Sequence, residues 1–118
     1  MLVGASEGQG WRYEVIERSE GFLVRSRDLD TGAVDDNDSQ LFRTASVAFA
    51  FAAMSASFDR FAAACVAGEA VDDLWDEVTA KQSLYEDLRR RLSDDAMAAR
   101  VLLAWEEAEE TALRRRYH

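Results

Sequence analysis

Val47, Phe51, Met54, Phe58, Phe61 and Cys65 recur at alternating spacings of four and three, in a segment from Ala45 to Ala67 whose only charges are Asp59 and Arg60. Such spacing draws one apolar stripe along a helix. The alanines between leave a second, smooth surface that another backbone can approach closely. The pattern predicts a buried helix with its phenylalanine stripe inward. Gly68 supplies a left-handed C-cap, and Thr44 or Ser46 offers a hydroxyl for the N-cap.

Before this helix the period is two. Trp11, Tyr13 and Val15 alternate with Arg12 and Glu14 until Arg18-Ser19-Glu20-Gly21 supplies a turn. Phe22, Val24 and Ser26 then alternate with Leu23, Arg25 and Arg27. The parity predicts a hairpin in which Val15 faces Val24 and Glu14 faces Arg25, with one apolar face and one face of charge pairs; a register two residues away also satisfies it. Asp30-Thr31-Gly32 reads as a second turn, and Leu41 to Arg43 as the end of a third strand. Residues 1–10, small and polar, read as a loose tail.

After Gly68 a second helix is expected from about Ala70 to Leu92, with Val71, Leu74, Trp75, Val78, Tyr85, Leu88 and Leu92 on its stripe. Asp72 and Asp73 open it and Arg89, Arg90 and Arg91 close it, in the sense the helix dipole favours. Ser93-Asp94-Asp95 reads as the cap of a third helix reaching about Arg116, with Met97, Val101, Leu102, Trp105 and Ala108 inward. The expected fold is a single α+β domain over residues 11–118. A small N-terminal antiparallel sheet of two or three strands is followed by three helices, the first a buried Phe/Ala-rich helix and the last two an antiparallel helical hairpin.

The strand-strand-strand-helix order resembles the small three-stranded arm-binding modules of tyrosine recombinases. The likeness rests on Phe22 to Asp28, the turn Asp30-Thr31-Gly32, and Leu41-Phe42-Arg43-Thr44-Ala45 leading into the helix, which is less than half of the chain. Those modules read DNA with a basic sheet. Here the corresponding loop carries Asp35, Asp36 and Asp38, so the resemblance implies a topology and no DNA-reading function.

Composition narrows the functional classes. At 118 residues the chain suits one domain with a core of its own, and 23 acidic against 14 basic residues give a net charge of -9, which opposes nucleic-acid backbone. The start lacks the basic and apolar regions of a secretory signal, and no run of roughly 18 uninterrupted apolar residues marks a membrane span. A single cysteine cannot form an internal disulfide. These features together predict a cytoplasmic protein with no membrane or direct nucleic-acid partner.

Candidate chemistry is sparse. Asp28-x-Asp30 begins in the manner of a calcium loop, but Gly32 falls one place early and Ser39 stands where the closing carboxylate belongs, so no metal is expected. Cys65 falls on the apolar stripe without a base, and His118, the only histidine, follows an arginine run with nothing to orient it. The helical carboxylates, Glu106, Glu107, Glu109 and Glu110 among them, lack the Glu-x-x-His partner of bundle metal sites. No phosphate-binding glycine loop is present. The chain therefore reads as a non-enzyme without cofactor.

What remains is surface. Asp28, Asp30, Asp35, Asp36 and Asp38 form an acidic patch at an expected hairpin tip, and Trp11 stands at a strand start where it can add a contact. The leading functional expectation is a small acidic protein-binding module, of the inhibitor, immunity or anti-defence type found in bacteria and phage, occupying a basic surface on a target protein. The alternative is a structural or assembly protein whose apolar helix forms a homo-oligomer, a homodimer first.

Overall fold

The computed structural model describes residues 1–94 and 97–98. Leu2–Glu7 is a strand (β1), not a loose tail, and it pairs antiparallel with Trp11–Arg18 (β2). β2 and Gly21–Asp28 (β3) form the expected hairpin in the expected register, with Val15 opposite Val24 and Glu14 opposite Arg25. A third long strand, Val34–Phe42 (β4), follows the turn at Asp28 to Ala33, where Oδ1 of Asp28 accepts from the amides of Asp30 and Thr31. β4 is interrupted. Val24 pairs with Gln40 but Ser26 pairs with Asp35, so Asp36 to Ser39 bulge out opposite Arg25 alone.

Ala45–Ala67 is the long helix (α1), closed by Gly68 at φ 72° with its amide on the carbonyls of Ala64 and Cys65. Asp72–Arg91 forms the second helix (α2), and Met97–Ala98 is a short strand (β5) that pairs antiparallel with β4. The sheet order is β1-β2-β3-β4-β5. Two or three strands with three helices were expected; five strands with two helices are found among the described residues. Asp94 opens no third helix and the chain instead returns to the sheet edge, while the rest of that expected helix, with Trp105 and the glutamates from Glu106 to Glu110, lies outside the described residues. The helical hairpin is α1 with α2: Phe61 meets Trp75 and Phe51 meets Tyr85, so the two run antiparallel.

The orientation of α1 differs from the expected one. Its alanine surface faces inward: Val47, Ala48, Ala50, Ala52, Ala56, Ser57 and Ala64 are buried, whereas Phe58 is 54% exposed and Cys65 is exposed. Small side chains let the helix sit low on the sheet, and Val15, Val24 and Phe42 meet Val47, Ala48 and Ala52 in the main core. The phenylalanine stripe is thereby turned toward α2 and its margins, with Phe51 and Phe61 half-buried. Trp75 of α2, expected in the core, is 46% exposed beside Phe61. By length and composition α1 could cross a membrane, but here it lies between the sheet and α2.

Two aspartates hold α1 in place. Asp94 is fully buried, and its carboxylate accepts from the amides of Arg43 and Thr44 and from the Thr44 hydroxyl, each at 2.9 Å. Thr44 is the N-cap residue, yet its hydroxyl donates to Asp94 and does not accept from the first turn. At the other end, Oδ2 of Asp59 accepts from the amides of Gln9, Gly10 and Trp11 at 2.8, 2.9 and 3.1 Å, clamping the β1-β2 turn onto the helix. A β-carbon on Gly8 would collide with this carboxylate. Arg60, beside it, donates to the Glu7 carbonyl and pairs with Glu77 of α2 at 2.7 Å.

On the sheet face turned from α1, Glu14 is buried between arginines. Arg25 reaches its Oε1 at 3.0 Å and Arg27 donates to both oxygens at 3.2 and 3.3 Å. Burial works against the charge of Glu14, but the hydrogen bonds and charges of Arg27 and Arg25 outweigh it and hold the carboxyl below its usual range. Ile16, Leu23 and Leu41 form a small second cluster.

Candidate functional site: an aromatic cleft with an acidic edge

Because α2 lies mainly against α1, contact between α2 and the sheet is narrow. At one place it closes: Tyr85 meets Phe42 edge-on with ring centres 6.1 Å apart, and Phe51 fills the angle at 5.1 and 5.4 Å from the two rings. One helical turn further toward the start of α2 the same interface opens into a cleft of about 490 Å³. That volume lies in the range of ligand and peptide sites.

The sheet side of the cleft is built by alternation. Trp11 and Tyr13 on β2, Val24 and Ser26 on β3 and Asp35 on β4 all fall on the helix-facing side. The helix side is the phenylalanine stripe itself, Phe51, Met54 and Phe58 with Ser55 between, and Val78 and Gln82 of α2 complete it. Asp59 fixes the geometry at the mouth. It is the neighbour of Phe58 on α1 and its carboxylate accepts from the amide of Trp11, so it ties the strand that carries the half-buried Trp11 to the helix turn that carries the exposed Phe58. Burial raises the Tyr13 hydroxyl above its ordinary pKa of 10.0, with the nearby charge of Asp59 adding to it, so Tyr13 stays neutral and serves as a ring and a hydroxyl.

Of the residues singled out by sequence, the structure brings Trp11 and Asp35 together as walls of one cleft, with Asp28 directly across the strand pair from Trp11. Asp28 and Asp35 also have local duties, since Oδ1 of Asp35 accepts from the Asn37 amide at 3.1 Å just as Asp28 caps its own turn. The acidic patch is therefore not all at one hairpin tip. Asp30 is exposed at the β3-β4 turn, while Asp36, also exposed, and Asp38 lie in the β4 bulge. Sequence reading assigned Phe58 and Met54 to the core and gave Tyr13 no role. The one signal pointing to them was that the stripe had more bulk than a sheet approached through alanines can cover.

Among the described residues no group of three or more His, Cys, Asp or Glu side chains is placed to hold a metal ion. Compared with known proteins, the chain matches no family model, no curated protein and no solved structure.

Proposed function

We propose that the protein is a small acidic protein-binding module whose contact face is the aromatic cleft and its acidic edge. The observation that supports this most is the conjunction, in one open cleft, of Trp11, Tyr13 and Phe58 with Asp35, and with Asp36 exposed on the adjoining bulge. Aromatic rings held rigidly in a partly desolvated pocket are the usual anchors of protein interfaces, and a surrounding acidic field speeds encounter with basic partners. An inhibitor, immunity or anti-defence protein would use such a face to occupy a basic surface on its target. Among the described residues several arginines are already engaged, Arg25 and Arg27 with Glu14, Arg60 with Glu77 and Arg91 with Asp87, which leaves those four less available to nucleic-acid phosphates.

The test is affinity capture with the whole protein as bait, beside a Trp11→Ala/Phe58→Ala double variant shown by circular dichroism to be folded. The proposal expects a partner retained by the wild type at low salt, weakened at high salt and lost from the double variant. Equal retention by both baits would place the contact elsewhere. A second reading, self-assembly, is favoured by the exposure of Phe58, Trp75, Leu84 and Val66 on the two helices. Sedimentation at increasing concentration separates the two, because only self-assembly raises the mass of the protein alone.

A further inference from the structure

We propose that the cleft takes the basic side chain of a lysine or arginine from its protein partner, with the aliphatic stem along Trp11, Tyr13 and Phe58 and the charge beside Asp35. This rests on the reading of the cleft as the binding face and names what that face recognises.

The lining argues for a cation. It combines aromatic rings, whose faces attract positive charge, with a half-buried carboxylate, and the one basic residue contributing to it among the described residues, Arg25, has its guanidinium on the opposite face of the sheet, paired with Glu14. Oδ1 of Asp35 accepts from Asn37, and among the described residues its second oxygen has no hydrogen-bond partner. A neutral apolar occupant would strip water from that carboxylate and return nothing, which is costly. An anion would meet Asp35, Asp36 and the net charge of -9. A lysine or arginine satisfies both halves at once, because its methylene stem tolerates an apolar wall while its head needs an acceptor. At about 490 Å³ the cleft exceeds one such side chain and leaves room for its neighbours in an extended segment.

The experiment uses two pentapeptides, acetyl-Gly-Gly-Lys-Gly-Gly-amide and the same peptide with norleucine for lysine, which keeps the stem and removes the charge. Each is titrated into the isotopically labelled full chain while the indole N–H resonance of Trp11 is followed. The lysine peptide should move it, and the norleucine peptide should bind about tenfold more weakly, the order expected of a partly desolvated cation on aromatic faces with a carboxylate. Asp35→Asn keeps the acceptor for the Asn37 amide, so the fold is retained, and it should remove most of that difference. Equal binding of the two peptides would overturn recognition of charge while leaving the cleft as an apolar contact face. Lysine binding that is unchanged in Asp35→Asn would overturn the assigned acceptor. No shift with either peptide at tens of millimolar would overturn both the inference and the reading of the cleft on which it rests.

Discussion

Phe51 and Phe58 stand seven residues apart on the same stripe of α1, and the structure uses them oppositely. Around Phe51 the interface is shut by Phe42 and Tyr85; around Phe58 it is open, and the ring is 54% exposed between Trp11 and Val78. The two halves differ little in composition. They differ in what lies opposite: at the closed end α2 reaches the sheet through the edge-on contact of Tyr85 with Phe42, while at the open end Val78 and Gln82 line the cleft. An apolar periodicity therefore marks a surface that must be near other apolar groups. It does not say whether those groups belong to the same chain.

The largest expected effect tests the closed half. Phe42 is 1% exposed and touches both other rings of the trio, so Phe42→Ala should cost about 4 kcal/mol in chemical denaturation. Asp94→Ala comes next. It removes three hydrogen bonds to a buried carboxylate and strands two amides at the start of α1, for a loss of about 3 kcal/mol with no direct change at the cleft. If Asp94→Ala melts like the wild type, the return of the chain to the sheet edge contributes nothing to holding α1.

Glu14→Gln should cost about 2 kcal/mol near neutral pH, since a buried carboxylate shared by Arg25 and Arg27 becomes a neutral acceptor. The pH dependence has a definite sign. The folded carboxyl titrates below its ordinary value of 4.5, so its contribution is fully present above that value and is lost as pH falls through the lower folded value. The stability gap between wild type and variant should therefore narrow on acidification below about pH 4.5. A gap that is constant with pH would mean that Glu14 acts through its shape alone. The smallest effect belongs to the open half: Phe58→Asp should change stability by less than about 1 kcal/mol, because a charge at that position reaches water. A cooperative loss of several times that size would show that the ring is core after all.

Local signals carried much of the fold. The parity of Val15 and Val24 allowed the observed hairpin register beside one two residues away, Gly68 marked the end of α1, and the stripe and terminal charges of α2 marked its span. Contacts between distant residues were not legible. β1 is a strand because β2 offers it a ladder, and Leu2–Glu7 has too little alternation of its own to show it. Asp59 and Asp94 bind amides 48 to 51 residues away, with no spacing that a linear pattern can register. Burial of the alanines and not the phenylalanines was likewise hidden, because it depends on how close a sheet can come. For the site, Trp11 and Asp35 were legible as surface candidates, whereas the rings that join them into a cleft looked like ordinary core.

The central claim is that the open end of the stripe is a recognition face, and the most direct measurement is a residue-by-residue map of where a bound lysine pentapeptide perturbs the backbone and indole resonances of the full chain. The structure predicts that the largest shifts fall together on Trp11, Tyr13, Ser26, Asp35, Ser55, Phe58 and Gln82, with little change at Phe42 or Tyr85 in the closed half. Shifts spread over the exposed acids of α2, such as Asp72, Asp73 and Asp76, with the cleft residues unmoved, would contradict it.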